Sequence, residues 1–324
     1  MGARAGFLSL AIFTVISIQC VHSTTFTFTN YCSYTVWPGL LASAGSPPLE
    51  TTGFVLQKGE SRSIPAPASW SGRFWGRTLC SQDSTTGQFT CVTGDCGSGQ
   101  IECAGGGAAP PATLAEFTLN GSGGLDFYDV SLVDGYNLQM LVVPKGGSAG
   151  TGNCNTTGCL VDLNGMCPTE LKVLSSDSST PNVACKSACE AFREDQYCCS
   201  GAYANPDTCH PSSYSEIFKH ACPRAYSYAY DDGTSTFTCA SSESDYLITF
   251  CQPSANSQKS SNYPEAAMYF TGNDSNNQVY QDEYDISTAS STRLQHGDGR
   301  ILLLTVVMAV AISFCTSSLV LPSL

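Results

Sequence analysis

Apolar and polar positions alternate with a period of two as soon as the chain passes residue 23. TTFTFTN sets Phe26 and Phe28 on one face and threonines on the other, which predicts a half-buried strand. Tyr34, Val36 and Trp37 extend the apolar text to the loop SAGSPPLETTG, after which GFVLQKGESRSIPA predicts two short strands around a Lys58-Gly59 turn. SWSGRFWGRTLC then places Arg73 and Arg77 four residues apart among Trp70, Phe74 and Trp75, with no need for a helix. Strand-like pieces of about 4 to 8 residues, broken by Gly, Pro and Ser, predict an antiparallel sandwich or barrel. Two later strands carry isolated carboxylates. In ATLAEFTL, Glu116 lies opposite Phe117 and Leu119, and in DFYDVSLVDG Asp129 lies opposite Tyr128, Val130 and Leu132. Asp134 joins the face of Asp129 if the chain turns at Val133-Asp134-Gly135, where Asp-Gly favours a turn.

The alternation fails in two places, and cysteines crowd both. Residues 80–103 hold Cys80, Cys91, Cys96 and Cys103 among glycines too frequent for a packed strand, which predicts a small stapled loop. From Cys154 to Cys222 there are nine cysteines, so at least one must pair outside the segment. Within it ACKSACEAFREDQYCC repeats Ala184, Ala188 and Phe192 at four and predicts a short helix, with a second helical turn in SYSEIFKHAC. Alternation returns in AYSYAYDDGTSTFTC, where Tyr226, Tyr228 and Tyr230 lead into Asp231-Asp232-Gly233, the pattern of a hairpin or wide turn with two carboxylates at its tip. YLITFC closes the globular part at Cys251, and residues 252–290, poor in apolar runs, read as a Ser/Asn-rich stalk.

Composition matters first at the ends. Arg4, the apolar block FLSLAIFTVISI and a compact Val21-His22-Ser23 make residues 1–23 a signal peptide. Residues 291–324 end in an uncharged apolar run. With the polar spacer TRLQHGDGR and the small residues Ser287 to Ser291 before it, that run reads as a GPI-anchor propeptide with attachment near Ser290; a retained membrane span is the alternative. The two processed ends remove Cys20 and Cys315 of the 18 cysteines, leaving an even set in an oxidising compartment, read as eight disulfides and not as metal ligands. A formal net charge of −13 argues against nucleic acid or an anionic membrane surface as the primary partner. Asn120, Asn155 and Asn273 head glycosylation sequons.

GQFTCVTGDCGSGQIEC, PPATLAEFTL, DFYDVSLVDGYN, CPTELKV, QYCC and CPRAYSYAYDD, in that order, give residues 24–251 a close resemblance to the thaumatin-like family in its sixteen-cysteine form. The resemblance implies a mainly β fold: a flattened antiparallel sandwich of about eleven strands, a disulfide-rich helix-bearing lobe over about 154–222 and the small stapled loop 80–103. It also implies the pairs Cys32–Cys251, Cys80–Cys91, Cys96–Cys103, Cys154–Cys239, Cys159–Cys222, Cys167–Cys185, Cys189–Cys198 and Cys199–Cys209. Members are plant defence and stress proteins, many antifungal, some binding β-1,3-glucan and some cleaving it. Their cleft residues correspond here to Arg73, Glu116, Asp129, Asp134 and Asp232. Arg224 stands where many members carry Asp, which would lessen the acidity of the cleft edge.

Paired carboxylates suit sugar chemistry, one protonated beside the glycosidic oxygen and one ionised to activate water or form a covalent intermediate. On this reading Glu116 is the acid, Asp129 the base, and Asp134 and Asp232 tune them or bind hydroxyls, while Arg73 limits repulsion. The expected partner is β-1,3-glucan or another cell-wall polysaccharide, bound at the outer face of the plasma membrane by a monomer with no cofactor and no metal. An endo-β-1,3-glucanase and an anchored structural or protein-recognition molecule, with a surface protein as partner, are the alternatives.

Overall fold

The computed structural model describes residues 23–146, 153–175, 182–241 and 244–252. The leader through residue 22, the stalk from residue 253, Asn273, the attachment near Ser290 and the apolar tail lie outside the described residues. The strands begin with β1 (Thr25–Asn30), β2 (Trp37–Ala42), β3 (Ser61–Pro65), β4 (Ser71–Gln82), β5 (Phe89–Thr93) and β6 (Leu114–Thr118). They continue with β7 (Leu125–Ser131), β8 (Met140–Lys145), β9 (Thr157–Cys159), β10 (Lys172–Leu174), β11 (Asn182–Cys185), β12 (Phe237–Ala240) and β13 (Asp245–Phe250). Short helices are α1 (Leu163–Met166), α2 (Ala188–Phe192), α3 (Asp195–Cys198), α4 (Ser213–Ala221) and α5 (Asp232–Ser235).

One sheet runs β3-β1-β13-β8-β9 and the other β12-β7-β6-β4-β2, with β5 paired on β4. These eleven strands are the sandwich; β10 and β11 form a separate two-stranded ladder in the lobe. Its ladders are antiparallel except β1 with β13, which run parallel. The alternation in β1 does what its pattern demands: Phe26 and Phe28 are fully buried, and Phe26 meets Phe74 and Phe117 of the opposite sheet at 4.8 Å between ring centroids. Tyr246 of β13 adds an edge contact to Phe117 at 5.0 Å. Aromatic rings of both sheets thus interlock edge to face, the arrangement their quadrupoles favour.

All eight disulfides implied by the resemblance are present. Cys154–Cys239 is the link by which the odd-numbered lobe returns a cysteine to the sandwich, and Cys32–Cys251 ties the ends of β1 and β13 together.

Four local expectations need correction. The stapled loop 80–103 contains a strand, because Cys80 and Cys91 sit directly opposite each other in the β4–β5 ladder and their disulfide holds the register that the glycines would loosen. Of the two strands around Lys58-Gly59 only β3 forms; the first arm makes single bridges, Val36 to Leu56 and Gly39 to Gly53. ACKSACEAFREDQYCC is not one helix. Ala184 lies in β11, where pairing with Val173 overrides its helical propensity, and α2 starts only after Ser187 caps the Glu190 N–H. Arg193 then adopts a left-handed conformation, φ 58°, and ends α2 before α3 begins. Finally, Tyr226–Asp232 is not the first arm of a hairpin. Tyr226 is stitched to the end of β7, its N–H donating to the Val130 carbonyl at 2.9 Å and its carbonyl accepting from Leu132 N–H at 2.8 Å. Asp232 opens α5 instead of a tip.

Candidate functional site

The register of three adjacent strands fixes the centre of the site. Arg73 of β4 pairs with Glu116 of β6, and Glu116 pairs with Asp129 of β7. Because the side-chain period is two, the flanking row of Phe74, Ala115 and Val130 enters the core and the charged row faces outward. Opposed Cβ atoms in such a ladder stand roughly 4.5–5.5 Å apart, so the three head groups are held side by side. The Arg73 Nη2 to Glu116 Oε1 distance is 3.4 Å. Both side chains are over a third exposed, so this ion pair fixes geometry more than it stabilises the fold.

The row ends in an oxygen without a partner. Asp129 is half-buried, with Oδ2 fully enclosed and without a hydrogen-bond partner among the described residues. Burial, then the neighbouring Glu116, push the Asp129 carboxyl well above the usual range, against the smaller pull of Arg73 and with Asp232 adding to the rise. Glu116 is raised too, first by burial; here Arg73 is the main opposing influence and Asp134 adds to the rise.

Asp134 reaches the same surface through the turn at Val133-Asp134-Gly135. Gly135 N–H donates to the Leu132 carbonyl at 2.9 Å with φ 86°, and a Cβ there would come within 2.7 Å of the Cys185 carbonyl and of Pro111. Only glycine fits both the conformation and the space. Asp232, in the first turn of α5, accepts a 2.7 Å hydrogen bond from the Tyr226 hydroxyl, which also bonds the Thr236 hydroxyl. The neighbouring Asp231 is used differently: its Oδ2 lies 2.9 Å from Lys219 Nζ of α4 and accepts from the backbone and hydroxyl of Ser227.

Arg73, Glu116, Asp129, Asp134 and Asp232 therefore line one open cleft of about 400 Å³, together with Leu114, Ser131, Val133, Tyr226 and Ala229. At one end, Leu114 packs with Trp75 and Cys103, so the stapled loop backs the cleft from the outer face of the sheet. Tyr226 and Ser131 are site residues that pattern reading missed. The alternating tyrosines carried a signal, but it marked contact with β7 and not self-pairing. Arg224 is outside the residues lining the cleft: its Nη1 donates to the Thr156 carbonyl at 2.9 Å and its guanidinium lies 5.9 Å from the Phe237 ring centroid.

Of the glycosylation candidates within the described residues, Asn120 is exposed, its Nδ2 donating to Ser69 Oγ at 3.1 Å. Asn155 is half-buried, and its carbonyl accepts the Tyr128 hydroxyl at 2.6 Å.

Comparison with known proteins places these features in a family. The chain is 60% identical over 250 residues to "Thaumatin-like protein 1" of Arabidopsis thaliana, covering 75% of this chain and 92% of that protein. It is 55% identical over 251 residues to "Thaumatin-like protein 1" of Prunus persica, covering 78% and 99%. A Prunus avium protein named "Glucan endo-1,3-beta-glucosidase" is 53% identical over 244 residues, covering 75% of this chain and 96% of its own length. The family model described as "Thaumatin family" matches residues 30–252, and with sixteen cysteines paired in eight disulfides on this sandwich, the chain belongs to the thaumatin family.

Proposed function

We propose that the chain is an extracellular defence or stress protein that binds β-1,3-glucan in this cleft. The observation that carries the reading is the enclosed, unpartnered Asp129 Oδ2 beside an open cleft of carboxylates and hydroxyls. A buried polar atom left without a hydrogen bond costs about 1–3 kcal/mol, a cost native folds keep where a group has a function, and this one lies in the lining of the cleft. Glu116, Asp129 and Asp232 offer carboxyl oxygens to sugar hydroxyls, and Arg73 donates.

Cleavage is the second reading, favoured by the name of the Prunus avium relative. Burial raises both carboxyls, Asp129 well above its ordinary range, so the pair can keep the proton that an acid catalyst needs. The two are opposed residues of adjacent strands, so they stand on one wall of the cleft. An inverting pair stands about 6.5–9.5 Å apart to leave room for a water, whereas opposed ladder positions suit the closer spacing of a retaining pair, about 5–5.5 Å. Binding is the primary reading because it needs only the open polar cleft, whichever carboxyl holds a proton. Incubation with insoluble β-1,3-glucan should retain the protein in the pellet and release few new reducing ends. Abundant reducing ends would promote the enzyme, and no retention would reject the cleft's sugar role.

The chain's ends supply the rest of the proposal. A signal peptide over 1–23 delivers residues 24–251 to an oxidising compartment that suits eight disulfides. A stalk over 252–290 and attachment near Ser290 hold the domain on the outer membrane face. Phosphatidylinositol-specific phospholipase C should then release the protein from membranes; a tag after Leu324 that stays with the mature protein would overturn the anchor.

A further inference from the structure

Strand β7 carries an aromatic ring where its pattern calls for a polar group. Tyr128 and Val130 fill the core, which leaves Phe127 on the outer face with Asp129. Phe127 is half-buried and belongs to neither hydrophobic cluster of the fold. A single half-buried phenylalanine on an outer face means nothing by itself. Three features set this one apart.

It is flanked in register by hydroxyls. Thr118 of β6 and Thr238 of β12 are its direct partners on either side, and Thr118 in turn pairs with Ser71 of β4, the two hydroxyls lying 3.2 Å apart. The ring is also braced: the turn at Gly121 lies so close that a Cβ there would come within 3.0 Å of Phe127 Cδ2, and Gly121 N–H donates to the Leu125 carbonyl at 2.7 Å. Lastly, the row of Ser71, Thr118, Phe127 and Thr238 is the next outward-facing row after Arg73, Glu116 and Asp129, roughly 7 Å further along the strands. A chain leaving the cleft along β7 passes over this row.

A β-linked glucose ring has an apolar C–H face and an equatorial rim of hydroxyls. It needs a flat apolar surface under the face and small polar groups at the rim. We propose that Phe127, with Thr118, Thr238 and Ser71, forms a stacking subsite that carries a glucan chain onward from the acidic cleft. This rests on the glucan-binding reading of the cleft. It adds that affinity depends on chain length, because a short oligosaccharide held by the carboxylates ends before the ring and a long one crosses it.

The test compares a β-1,3-linked trisaccharide with a soluble long-chain β-1,3-glucan, titrated into wild type, Phe127→Ala, Phe127→Tyr and Glu116→Gln, each with its thermal midpoint measured. Phe127→Ala should weaken binding of the long glucan about tenfold and leave the trisaccharide unchanged. Phe127→Tyr, which keeps the flat ring, should bind both as wild type does, and Glu116→Gln should weaken both. If Phe127→Ala binds the long glucan as tightly as wild type while Glu116→Gln loses both, the subsite is wrong and the cleft reading stands. Equal weakening of both lengths by Phe127→Ala also overturns the extension, since the ring then belongs to the cleft's own sugar position. A wild type that binds neither glucan overturns the cleft reading and the subsite with it.

Discussion

Arg77→Met is expected to cost the domain about 3–5 kcal/mol of stability, since it strips the donors from several buried backbone carbonyls at about 1–3 kcal/mol each. Arg77 is 0% exposed. Its Nε donates to the Trp37 carbonyl at 3.0 Å, and its Nη2 donates to the carbonyls of Pro38 at 3.3 Å and Ile101 at 2.5 Å. The planar fork thus joins β2 to the stapled loop, while the guanidinium lies 5.6 Å from the Phe89 ring centroid of β5. Burial pulls its pKa down to about 10, against the opposing influence of Asp95 and Glu102, so the group stays charged at neutral pH. Methionine fills similar volume but supplies no donor, leaving buried carbonyls unsatisfied. Lysine should not rescue it, since one ammonium cannot reproduce the fork. In a domain of this size each kcal/mol moves the thermal midpoint by about 2–4 °C, so a fall of roughly 6–20 °C is expected. Denaturation with disulfides intact measures it; a loss under about 1 kcal/mol would show that the fork adds little beyond packing.

Asp129→Asn is expected to do the reverse and raise stability at neutral pH. The folded state holds the Asp129 carboxyl well above its ordinary value, mainly by burial and by Glu116. Folded molecules thus keep a proton that unfolded chains release near pH 4. More protons on the native state means stability falls as pH rises. The favourable contribution is complete below the unfolded pKa and is lost as pH rises through the folded one. The amide does not ionise, so the gain of Asp129→Asn should vanish near pH 3, grow from about pH 4 upward and reach several degrees in thermal midpoint at neutral pH. A midpoint difference that does not change between pH 3 and 7 would contradict the burial of this carboxyl. The stability withheld there is what a site poised for a ligand costs.

The two carboxylates at the centre of the cleft were legible because alternation is a local property. Glu116 and Asp129 each follow from neighbours within their own strand, and Asp134 from an Asp-Gly turn whose space only glycine fits. What joins them was not local. The register that sets Arg73 against Glu116 joins strands more than forty residues apart, and the one that sets Glu116 against Asp129 depends on how β6 and β7 pair across the turn between them. The family resemblance supplied that grouping and the disulfide pairing; periodicity did not. Tyr226 was misread for the same reason, since its backbone pairs with β7 nearly a hundred residues upstream and not with its own neighbours. Choosing Asp232 over Asp231 likewise needed the family, because only tertiary structure reveals that Lys219 already occupies Asp231. The single helix expected over 184–199 failed where a left-handed Arg193 and a β pairing at Ala184 overrode a four-residue repeat.

Everything functional here turns on the cross-strand row being a sugar-contacting surface. The most direct test is the affinity for a β-1,3-glucan oligosaccharide, measured by titration calorimetry for wild type, Glu116→Gln and Asp129→Ala, with each variant's thermal midpoint recorded. Wild type should bind. Glu116→Gln, which removes the charged acceptor beside Arg73, and Asp129→Ala, which removes the unpartnered oxygen, should each weaken binding about tenfold or more while remaining folded. Wild-type affinity in both folded variants would contradict the assignment of the glucan to this cleft.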